Sequence, residues 1–69
     1  MKQTYQAVCR YEDGTQDTAT VVIVSEGKTI FQVAWQISNG EQDRAVMEAE
    51  SSEAAFQLWC DENGFEPAE

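Results

Sequence analysis

The sequence predicts an α+β fold, a four-stranded antiparallel β-meander with one C-terminal helix packed on one face. Three observations carry this. From Ile30 to Ile37 the residues Phe31, Val33, Trp35 and Ile37 alternate with Gln32, Ala34 and Gln36, the period of two that a half-buried strand requires. Three turn signals share one form, two polar residues followed by a glycine, and end evenly spaced at Gly14, Gly27 and Gly40. Ala55, Phe56, Trp59 and Cys60 then recur at helical spacing, with Glu53, Gln57, Asp61 and Glu62 on the other side.

Taken in order, the alternation predicts strands over about 3–11, 17–24, 29–37 and 42–49, and a helix over about 52–63. The first strand sets Tyr5, Ala7, Cys9 and Tyr11 on one side. The second is rich in β-branched residues, with Ala19, Val21 and Ile23 on odd positions. The third is the stretch from Ile30, and the fourth is a weaker alternation of Ala45, Met47 and Ala49. Each glycine suits the last position of a three-residue hairpin loop, where the backbone turns left-handed. Loops of that kind place Ala7 opposite Ala19, Val21 opposite Phe31 and Phe31 opposite Met47. Every odd residue then shares one face, whereas a one-residue slip would turn the apolar set outward. Ser51 or Ser52 is the expected helix N-cap, Glu53 complements the dipole, and Gly64 suits a left-handed stop with Phe65 folding back. The expected core is Tyr5, Val21, Ile23, Phe31, Val33, Trp35, Met47, Phe56 and Trp59.

Sixty-nine residues make a single small domain over 1–69, which buries only about 60% of its unfolded surface. The tail 66–69 is expected to be loose. Thirteen acids against four bases give a net charge of -9, which argues against direct contact with nucleic acid or an anionic membrane. With no membrane-length apolar run and no apolar leader, the expected location is the cytoplasm. Cys9 and Cys60 lack metal-site spacing and read as small buried apolar residues. The alternative is a disulfide joining the first strand to the helix.

Nothing in the chain points to catalysis. There is no histidine, neither cysteine has a basic partner of that kind, and the glycines are isolated. No cofactor and no metal is expected; Glu48, Glu50 and Glu53 near the strand-to-helix junction read as a solvated acidic edge. Two surfaces remain. Asp43, Glu48, Glu50, Glu53, Asp61 and Glu62 concentrate negative charge in the C-terminal half, where it would steer a basic partner. Val22, Val24, Ile30, Gln32 and Val46 fall on even positions, on the sheet face that a single helix leaves uncovered, and form a candidate self-association face. In the expected register Val22 lies opposite Ile30.

The junction Met47-Glu48-Ala49-Glu50-Ser51-Ser52-Glu53-Ala54-Ala55 resembles the strand-into-helix segment of small phage and plasmid accessory proteins. With the antiparallel meander and a Trp-bearing helix, the layout is similar to that of some anti-CRISPR proteins. The resemblance implies a phage or mobile-element origin and residence in the host cytoplasm. It also implies an acidic surface that occupies a DNA- or RNA-binding groove of a host complex, as a nucleic-acid mimic. The leading expectation is thus a non-enzymatic acidic inhibitor of a nucleic-acid-handling partner. The alternative is a self-associating, dimeric structural module that uses the open sheet face.

Overall fold

The computed structural model describes residues 2–68. Its elements are β1 (Lys2–Arg10), β2 (Gln16–Ser25), β3 (Ile30–Ile37), β4 (Gln42–Glu48), α1 (Ser52–Asn63) and β5 (Glu66–Pro67). The α+β class and the antiparallel meander are as the sequence predicts, but the sheet has five strands, in the order β4-β3-β2-β1-β5. The added strand corrects the expectation of a loose tail. Glu66 pairs with Val8 and Pro67 with Ala7, and the Ala68 N–H donates to the Gln6 carbonyl at 2.9 Å. Pro67 lacks an N–H and is tolerated because β5 is outermost. Glu69 lies outside the described residues.

Two hairpins have the expected register, with Ala7 opposite Ala19 and Phe31 opposite Met47. Their loops use the same chemistry. Gly14 and Gly40 take positive φ of 91° and 98°, and an Asx side chain stands before each. Asp13 Oδ1 accepts from the Thr15 N–H at 2.9 Å, and Asn39 Oδ1 accepts from the Glu41 N–H at 2.9 Å. Such local bonds hold a tight turn without help from the core.

The middle hairpin differs. Val21 lies opposite Trp35, not Phe31, and Val22 opposite Ala34, not Ile30. The Glu26 N–H donates to the Ile30 carbonyl at 2.8 Å, so the loop is residues 27–29 and Gly27 opens it. The reason is on the buried side. The expected register would set Asp17 against Trp35, whereas this one sets Val33 against Ile23 and Ile37 against Ala19. The displacement is two residues along the partner strand for each residue moved in the loop, so it leaves every side chain on its predicted face.

Those faces decide the packing. Ala7, Ala19, Val21, Ile23, Phe31, Val33 and Ile37 are buried beneath Ala55, Phe56, Trp59 and Cys60 of α1. Ser51 is the N-cap: its Oγ accepts from the Ala54 N–H at 3.1 Å. Ser52 instead shares a 3.1 Å hydrogen bond with the Tyr5 hydroxyl, which sets the Tyr5 ring parallel to Phe56 at 4.6 Å. Gly64 ends the helix in the left-handed conformation. The Phe65 N–H then donates to the Cys60 carbonyl at 3.0 Å, bringing the Phe65 ring to 5.1 Å from Trp59.

The main packing partners of α1 are β1, β2, β3 and β5, which leaves β4 at the margin. Trp35 and Met47, expected in the core, are therefore half-buried and packed against its rim. Trp35 reaches Trp59 at a centroid distance of 5.7 Å. On the opposite face Val8 is buried, with Glu66 across from it on β5 and an Arg10–Glu66 ion pair of 3.6 Å alongside.

Candidate functional site

The titratable groups with shifted pKa values are each explained by a local contact. Asp13 lies below its ordinary value because the Thr15 hydroxyl and backbone N–H both donate to its carboxylate. The Tyr11 hydroxyl donates to Asp17 Oδ2 at 2.6 Å, and that bond raises its pKa, with a further contribution from Cys9. Burial, and then the neighbouring Asp61 charge, pushes the Cys60 thiol up to about 11, which makes it a poor nucleophile at neutral pH. Tyr11 and Asp13 belong to the β1–β2 turn and Cys60 to the core, and they do not converge on a shared cleft. Both cysteines are free thiols, so the disulfide alternative is not realised. Among the described residues no three His, Cys, Asp or Glu side chains come close enough to hold a metal ion, and no helix is long and apolar enough to cross a membrane.

The six acids of the sequence reading are all exposed, but the fold does not gather them. Glu53 stands in the first turn of α1 and Asp61 and Glu62 in its last, with no basic residue on the helix. Gln57 Nε2 donates to Asp61 Oδ1 at 3.1 Å, which fixes one carboxylate toward solvent. Asp43 shares the helix-side face of β4 as the neighbour of Trp35, whereas Glu48 stands opposite Ile30 on the other face. Glu50 lies in the bend between β4 and α1.

The charges nevertheless segregate. Lys2, Arg10 and Arg44, three of the four bases, fall on even positions of β1 and β4, on the face away from the helix. The charged residues on the exterior of α1 are all acids. Asp61 and Glu62 sit at the negative end of the helix dipole, where an anion is mildly destabilising. No contact within the fold requires Glu62 there.

The open sheet face is assembled largely as the alternation implies. Lys2, Val24, Gln32 and Val46 form one cross-strand row, and Thr4, Val22, Ala34 and Arg44 the next. Val22 and Val24 are half-buried by these neighbours, while Ile30 and Gln32 are exposed. Val46, at 67% exposure, is the most open large apolar residue among the described residues. Thr20, Val22, Ala34, Gln36, Gln42 and Arg44 border a shallow depression on this face.

The sequence leads one to expect the fourth strand at an edge, where its charges block unwanted pairing, and β4 is outermost in the sheet. The Ile37 N–H donates to the Glu41 carbonyl, and the Ala49 N–H to the Thr29 carbonyl, so odd residues of β4 bond inward to β3. By alternation, Arg44, Val46 and Glu48 direct their backbone groups outward. The Arg44 N–H is met there only by the side chain of the preceding residue, Asp43 Oδ1, at 2.8 Å. Comparison with protein-family models, with curated proteins and with solved structures returned no match for this chain.

Proposed function

We propose that this chain is a non-enzymatic acidic interaction protein that engages a basic surface of a partner protein. In keeping with the phage-type resemblance of its strand-to-helix junction, the partner is a nucleic-acid-handling host complex whose binding groove the carboxylates occupy. The observation that carries the reading is the charge on α1. Its exterior has Glu53, Asp61 and Glu62 and no base, and the last two sit at the end of the helix where the dipole disfavours negative charge. Among the described residues no side-chain hydrogen bond or ion pair engages Glu62, so its charge is available outside the fold. The test is capture from host lysate followed by a salt titration of the isolated pair. Binding should weaken steeply with salt and with Glu53→Lys, Asp61→Lys and Glu62→Lys together. Affinity indifferent to both salt and charge reversal overturns the proposal.

A second reading, self-association, is favoured by Val46. An apolar side chain 67% exposed on an unpaired outer strand is a liability unless something covers it. Sedimentation across a concentration series, with Val22→Asp as the face variant, tests that reading separately.

A further inference from the structure

We infer that the outer edge of β4 is the contact between two copies of this chain, paired antiparallel about a two-fold axis at Val46. The inference narrows the self-association reading to one edge and one register, and it is independent of the acidic-partner reading. It rests on the direction of backbone groups. Arg44, Val46 and Glu48 present their N–H and C=O groups outward, so only registers that oppose even residues to even residues can form a ladder. Within that set the side chains choose. Centred on Val46, the pairing sets Val46 against its own copy and Arg44 against Glu48 of the second copy, twice by symmetry. All of these side chains share the face away from α1. On the helix side Ala45 meets Met47, both half-buried, and Asp43 meets Ala49. No like charges stand directly opposite.

The neighbouring registers lack this match. Centring on Ala45 opposes Arg44 to Val46 and Glu48 to Gln42. Centring on Met47 opposes Arg44 to Glu50, beyond the end of β4, but sets Glu48 against Val46. Only the Val46 register satisfies both charges at once, and cross-strand pairs of opposite charge are the favoured ones. The guanidinium of Arg44 has no ion-pair partner among the described residues, so it is free to take one. The bond from the Arg44 N–H to Asp43 Oδ1 must open for pairing. Together with the net charge of -9 on each copy, that makes the dimer a weak one, formed at high concentration.

The experiment is sedimentation velocity from micromolar to near-millimolar concentration at physiological salt. The chain should pass from monomer to dimer and no further. Arg44→Glu alone and Glu48→Arg alone should each weaken association by on the order of a hundredfold, although they move net charge in opposite directions. Mixed in equal amounts, the two variants should pair with each other about as well as the parent pairs with itself. Both positions are exposed, so circular dichroism should show intact folds. Val46→Pro, which removes an outward N–H and no bond to β3, should also abolish pairing. A monomer at every concentration overturns the inference. A dimer that survives both charge variants and Val46→Pro overturns the edge contact, and if Val22→Asp dissolves it, the face reading stands in its place.

Discussion

The three hairpin glycines occupy matching positions in the sequence, yet the structure predicts opposite outcomes for the same substitution. A Cβ built at Gly14, Gly27 or Gly40 meets nothing within 4 Å, so crowding is absent at all three. Only the backbone differs. Gly14 and Gly40 hold φ of 91° and 98°, whereas Gly27 does not have a positive φ. Alanine at Gly14 or Gly40 should therefore cost about 1–2 kcal/mol, the penalty of a left-handed L-residue. Alanine at Gly27 should stabilise by about 0.4–1 kcal/mol, because it narrows the unfolded ensemble without straining the folded one. A gap of about 2 kcal/mol corresponds to about 8–16 °C in Tm for a domain of this size. Urea and thermal unfolding followed by the fluorescence of buried Trp59 would measure it. Equal destabilisation at all three sites would show that the loop after β2 is built like the other two, and the register of β2 on β3 would be wrong with it.

Other perturbations probe the helix and the surface charges. Ser51→Ala removes the acceptor for the Ala54 N–H and should lower stability by about 1 kcal/mol in urea unfolding, while Ser51→Asp should retain most of it. Trp59 is wholly buried, and Trp59→Ala should cost about 3–5 kcal/mol. That loss is comparable to the whole stability of so small a domain, so the variant should have lost its native amide dispersion in NMR. Asp13 is held below its ordinary pKa by Thr15, so its contribution to stability is complete above the unfolded-state pKa and is lost as pH falls through the folded-state value. A carboxyl NMR titration should show a low midpoint for Asp13 that rises in Thr15→Val. Cys60, with its pKa raised to about 11 and its thiol buried, should resist a thiol reagent in the native protein and react on unfolding, and the half-buried Cys9 should react first.

The faces of the sheet were legible because alternation is a property of residue type alone. Registers were legible only where the turn announced itself. Asp13-Gly14 and Asn39-Gly40 each put an Asx side chain before the glycine, and that side chain closes the loop by a bond of its own. Glu26-Gly27 has a longer acid that does not make this bond, and the loop there is settled by which side chains meet on the buried side of β2 and β3. The fifth strand escaped because two residues, one of them Pro67, carry no periodicity. Alternation puts Trp35 on the core face, but the reach of α1 decides how deeply each residue of that face is buried. Of the candidate surfaces, the even face was readable from alternation. The scatter of the acids was not, since Asp43 and Glu48 differ in parity and α1 lies across β1 to β3, away from β4.

The short strand at the C-terminus gives the sheet two unlike ends. On one side β5 caps β1 with two residues and a proline that cannot donate; on the other, β4 is bare. A two-residue strand carrying a proline blunts that end of the sheet, so a pair formed through β4 would be disfavoured from running on into a fibre. A chain cut before Glu66 would lose that stop. With the flank of β1 exposed, the same contact that closes a pair would leave each pair with two fresh ends.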